Sequence, residues 1–102
     1  MRGKVHVTFV THYYKRSDPH RSPAKAVTTP LNNGEYRTDI YLDPALKTHP
    51  KLRDFAARHE KLEVEGMFKG KAKGHKFAVR HQPHFYELLH ETKNVVKKRG
   101  NR

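Results

Sequence analysis

The stretch best suited to chemistry is His59-Glu60-Lys61-Leu62-Glu63. An imidazole and a carboxylate stand four residues apart, and on a helix that spacing puts both on one face. Both groups bind metal ions, and the same geometry serves a hydrogen-bonded His59–Glu63 pair that holds no ion. With 9 histidines in 102 residues, a His-Glu pair arises readily by chance. A histidine on the inward face of a helix is then expected to pack and pair. The sequence alone calls for no metal and no cofactor; if an ion does bind, His59, Glu63 and His75 are the candidate ligands. His81 is the alternative third donor, and neither spacing is diagnostic.

Other chemistries find less support. There is no cysteine, which excludes disulfides and thiolate zinc sites. His6, His12, His20, His49, His84 and His90 form no nucleophilic triad with Ser17 or Ser22. Gly66, Gly70 and Gly74 recur every four residues in a lysine-rich stretch, unlike a phosphate-cradling loop between a strand and a helix.

Charge points toward a binding role. The net charge is +12, distributed as +5 over residues 1–30, −1 over 31–66 and +8 over 67–102. Two basic flanks around a near-neutral middle attract polyanions, although net charge also keeps small proteins soluble. Tyr13-Tyr14-Lys15-Arg16 sets aromatic rings beside cations, the pairing that base stacking with phosphate contact uses. Arg21, Lys69, Lys71, Lys73 and Lys76 complete the candidate partner-binding set.

These residues need elements to position them. Residues 4–14 alternate as a strand, with Val5, Val7 and Phe9 on one face. Residues 15–30 read as a basic loop, with a short edge strand at 26–29 stopped by Pro30. Asn32-Asn33-Gly34 is a turn, and residues 35–42 form a second strand with Tyr36, Ile40 and Leu42 on one side. Thr48 can cap a helix that Pro50 opens, with Leu52, Phe55, Ala56, His59 and Leu62 as its apolar stripe and Gly66 as its stop. Residues 69–74 read as a flexible basic linker, and 75–81 fit either a strand or a helical turn. Pro83 opens a second helix with Phe85, Leu88, Leu89, Thr92, Val95 and Val96 as its stripe, and the basic tail 97–102 is expected to fray.

The expected fold is α+β over residues 1–102: one small domain with a short sheet packed by two helices. Aligned at an offset of 33, the two helices bring their starts and apolar stripes into coincidence, Leu52 with Phe85 and Phe55 with Leu88. If 75–81 is a strand, residues 35–66 and 75–98 are two similar strand–helix units, and a groove runs along their seam. Seams of this kind suit a peptide or protein segment. The expected function is therefore a non-enzymatic interaction protein that binds such a segment. Sequence-nonspecific nucleic-acid binding and a degenerate metal-binding, hydrolase-like domain are the alternatives. No apolar run approaches the ~18 residues of a membrane-spanning helix, and residues 1–8 lack the unbroken apolar segment of a signal peptide. No membrane association is expected.

Two resemblances add to this reading. The stretch from Ile40-Tyr41-Leu42-Asp43-Pro44 to Arg58-His59-Glu60 and Glu63 is similar to small metallopeptidase-like proteins of archaea and their viruses. That resemblance implies His59 as a zinc ligand and Glu60 as the base, with Glu63 standing where the family has a second histidine. In length and in basic, cysteine-free composition, the whole chain resembles small proteins of hyperthermophilic archaeal filamentous viruses of the Acidianus type. That likeness implies a protein without enzymatic activity, working in the host cytoplasm.

Overall fold

Residues 6–18, 20–68 and 74–100 are described by a computed structural model. The chain runs β1 (His6–Tyr13), β2 (Ala24–Pro30), a 3-10 turn (Asn32–Gly34), β3 (Glu35–Leu42), a second 3-10 turn (Pro44–Thr48), α1 (Pro50–Phe68), α2 (Gly74–Arg80) and α3 (Phe85–Gly100). Among the described residues this is an α+β fold with one mixed three-stranded sheet and three helices, one helix more than expected.

The sheet order is β1-β3-β2, with β1 parallel and β2 antiparallel to the central strand. The β2–β3 hairpin closes through Asn33 and Gly34, both at positive φ (62° and 73°), which is where asparagine and glycine are tolerated. Register decides what each face carries. Thr38, Ile40 and Leu42 of β3 are buried, and the residues beside them, Phe9 and Tyr13 of β1 and Ala24 and Ala26 of β2, pack on the same side. Leu46, Leu52 and Ala56 close the core from the turn and from α1. The opposite face carries His12, Tyr41 and Lys25 in one cross-strand row, with His12 stacked on Tyr41 at 4.9 Å between ring centroids.

The basic loop is more ordered than its composition suggests. Tyr13 and Ala24 both pair with Leu42, so residues 14–23 must cross over the C-terminal end of β3. Asp43, fully buried, pins that crossing. Its carboxylate accepts from Ser17 Oγ at 2.6 Å, Asp18 N at 3.2 Å and Ala45 N at 2.9 Å, and Arg21 lies 3.7 Å away. Its own backbone N–H donates to the Pro23 carbonyl at 2.8 Å. A buried carboxylate is tolerated only with this degree of hydrogen bonding.

The helices depart from expectation in three places. Thr48 belongs to the 3-10 turn, and the His49 carbonyl, accepting from Arg53 N at 2.9 Å, begins the α1 hydrogen bonding. α1 continues past Gly66 to Phe68 because Gly66 is where Phe77 packs; a Cβ there would lie 3.0 Å from the Phe77 ring. Pro83 precedes α3; His84, at φ 57°, supplies the first carbonyl, to Leu88 N at 3.0 Å. The last helix also takes in residues 97–100 of the expected tail.

The expected repeat fails at residues 75–80, which are helical. The buried positions are Gly74 and Ala78, four apart as on a helix, and α2 lies against α1. The second unit is thus helix–helix while the first is strand–helix, and no seam between like units exists among the described residues.

Candidate metal centre

The side chain of His59, 12% exposed, projects from α1 beside Phe85, with ring centroids 4.9 Å apart. One turn on, Glu63 brings its Oε2 to 3.1 Å from His59 Nε2. His75, the second residue of α2, places Nδ1 at 2.8 Å from the same oxygen and 3.3 Å from His59 Nε2. Three donor atoms from two helices therefore converge, and these are the three residues singled out from the sequence as conditional ligands. His81 does not join them; its Nδ1 meets the Phe77 carbonyl at 2.9 Å.

Glycine makes the convergence possible. A Cβ on Gly74 would collide with the Glu63 carbonyl and lie 3.1 Å from Met67 Cγ. Only glycine lets the start of α2 press on α1 here, and that contact delivers His75 to Glu63.

Gln82 sets the protonation of His59. Its Nε2 donates to the Phe55 carbonyl at 3.1 Å, a group that can only accept. Its Oε1 therefore faces His59 Nδ1, at 2.8 Å, and that nitrogen must carry the proton. In neutral His59 the lone pair then sits on Nε2, pointing at a carboxylate and a second imidazole. A hydrogen carried by His75 Nδ1, a proton on His59 Nε2 or a metal ion can each lie between these atoms. Burial is the largest influence on His59 and pulls its pKa down. The hydrogen bonds to Glu63 and Gln82 and the charges of Glu63 and Glu60 outweigh it, and the net shift is upward. Glu63 is shifted below the usual carboxylate range, chiefly by its hydrogen bond with His59. Glu60 is pushed up to about 7, first by burial and then by the charge of Glu63.

The cluster lies on the wall of a cleft of about 900 Å³, the size range of small-ligand sites. Glu60 and Phe85 share that wall; Pro23 and Lys25 come from the crossing loop and β2, and Lys93 and Lys97 from α3.

Among the described residues, the other candidate binding residues differ in their surroundings. Tyr13 packs on the core side, with Lys47 Nζ 5.0 Å from its ring centre. Tyr14 stacks on Tyr41 at 5.8 Å and carries the Arg21 guanidinium 3.6 Å over its ring; its hydroxyl is buried without a partner among the described residues, and burial raises its pKa. Neither ring is free to stack on a base. Arg21 is drawn inward to Asp43 and the Arg16 carbonyl, while the side chains of Lys15, Arg16 and Lys76 are exposed. Lys69, Lys71 and Lys73 lie outside the described residues.

Sequence reasoning missed Gln82, Gly74, Lys93 and Lys97. Gln82 is the one glutamine in the chain, a signal that composition contained but could not place.

No protein-family model, curated protein or solved structure matches this chain.

Proposed function

We propose that the chain is a metal-binding domain that holds one divalent ion of the zinc type on His59, Glu63 and His75, facing a ligand cleft. The carrying observation is the spacing of the three donors. Ligands ~2.0–2.2 Å from a tetrahedral ion lie roughly 3.3–3.6 Å from one another. The three separations here are 2.8, 3.1 and 3.3 Å. Opening the shortest by about half an ångström, and the others by less, would admit the ion. Two imidazoles and one carboxylate suit zinc, and a three-residue set leaves one position open. Gln82 supports the reading as the outer hydrogen-bond partner that ligating histidines commonly have. The reading is of a binding site. The peptidase resemblance implied a second histidine on α1, and Glu63 occupies that place.

A peptide in the seam between repeated units loses its support with the helical residues 75–80. Nucleic-acid binding keeps its support from net charge alone.

Titration with Co²⁺ tests the proposal. The wild type is expected to develop the visible bands of a four-coordinate ion, saturating at about one ion per chain. His75→Ala, at a side chain 62% exposed, leaves the core intact and is expected to abolish them. Bands of equal strength in both proteins, or none in the wild type, would refute it.

A further inference from the structure

We propose that the cleft beside the metal centre binds a phosphate group, with one oxygen on the ion and the others on the ammonium groups of Lys25, Lys93 and Lys97. The inference rests on the metal reading and names the ligand class of that same site.

All three lysines line the cleft that His59, Glu63 and His75 line. They come from two elements, Lys25 from β2 and the other two from α3. Lys93 and Lys97 stand one turn apart on one side of α3, and like charges at that spacing repel. None of the three makes an ion pair with a carboxylate among the described residues; Lys25 has only the Tyr14 and Tyr41 rings, 5.9 and 6.0 Å away. The carboxylates on this cleft are Glu60 and Glu63, and Glu63 is engaged by both histidines. With a divalent ion in place, positive charge exceeds negative charge on the cleft walls, which favours an anionic ligand.

Charge and shape select the ligand. A neutral peptide would leave the three ammonium groups unanswered. A carboxylate brings one charge and two oxygens. A phosphate brings up to two charges and a tetrahedral set of oxygens that can bridge an ion and separate ammonium groups. Phosphate also arises in two forms, as a small phosphorylated compound or as the backbone of a nucleic acid, and the chemistry at the site is shared.

The test uses the full chain at complete Co²⁺ loading, with the visible bands recorded in the same samples. The phosphorus resonance of inorganic phosphate should broaden and shift as it approaches the paramagnetic ion. In Lys93→Gln/Lys97→Gln, compared at equal loading, the phosphate affinity should fall roughly 2- to 30-fold, the factor that two lost exposed charge contacts supply. Short oligothymidylate added to the wild type then separates the sources. Displacement of the phosphate marks a nucleic-acid backbone as the ligand, and no displacement marks a small phosphorylated compound. Full Co²⁺ bands with an unperturbed phosphorus resonance would overturn the inference and leave the metal reading standing. Equal phosphate affinity in the double variant would overturn it as well. Absence of Co²⁺ bands would overturn the metal reading, and the inference with it.

Discussion

At the scale of single residues, the proposed metal binding turns on which atom of His59 carries a proton. Gln82 decides it, because its amide is oriented by a carbonyl that can only accept. Gln82→Ala removes that orientation and strands the Phe55 carbonyl. The expected loss is about 1–2 kcal/mol of stability by denaturant unfolding and ~10–100-fold in Zn²⁺ affinity by competition with a chelator. A variant that lost stability but kept wild-type zinc affinity would show that Gln82 only fills space.

Glu60 provides a pH signature. Its carboxyl titrates near 4.5 when exposed and near 7 in the fold, because burial and the Glu63 charge oppose ionisation. A pKa raised on folding stabilises most below the unfolded value, and that contribution is lost as pH rises toward the folded value. The wild type should therefore lose stability from this group between about pH 4.5 and 7. Glu60→Gln, which cannot ionise, should match the wild type at pH 4 in metal-free protein. At pH 8 it should exceed it by roughly 1–3 kcal/mol, allowing for partial solvent screening. Thermal unfolding of both proteins at the two pH values checks this, and an equal difference at pH 4 and pH 8 would contradict the assignment.

At the scale of elements, α2 matters more than its seven residues suggest. It brings His75 to α1, and it does so through Gly74 and through the packing of Phe77 on Gly66. Gly74→Ala is expected to push the start of α2 away from Glu63. The expected cost is about 1–3 kcal/mol of stability from overpacking, together with most of the metal affinity. Calorimetric titration with Zn²⁺ would show the second effect, and unchanged affinity would mean that His75 is not a ligand.

What the sequence disclosed follows the same division. β3 is legible to its ends because residues 35–42 alternate between a turn and Asp43-Pro44. The α1 and α3 stripes are legible because a period near 3.6 persists over several turns. Residues 75–81 stay open between strand and helical turn because Phe77 and Val79 alternate as in a strand, while the packing that decides between the two lies on α1. His59, Glu63 and His75 could each be named as ligands, but their convergence depends on a helix–helix contact through glycine. The anchoring role of Asp43 was hidden for a similar reason. It arises from the crossing of residues 14–23 over β3, and so from strand order, which local patterning does not contain.

At the scale of the whole molecule, three features bear on one cleft: the loop crossing held by Asp43, the α1–α2 contact and the basic side of α3. An ion bound there ties α1 to α2 and should stabilise the folded chain by linkage. With Zn²⁺ at roughly 100 times its Kd, the gain is about 2.7 kcal/mol. For a chain of this size that corresponds to a Tm rise of roughly 10–20 °C, reversed by chelation. His59→Ala and His75→Ala should show no such rise.

The most direct measurement is the zinc content of protein equilibrated with Zn²⁺ and then freed of unbound ion, compared between wild type and His75→Ala. About one zinc per wild-type chain and almost none in the variant is the predicted result. A wild type without zinc, or a variant that retains as much as the wild type, would contradict the assignment of His59, Glu63 and His75 as a metal centre.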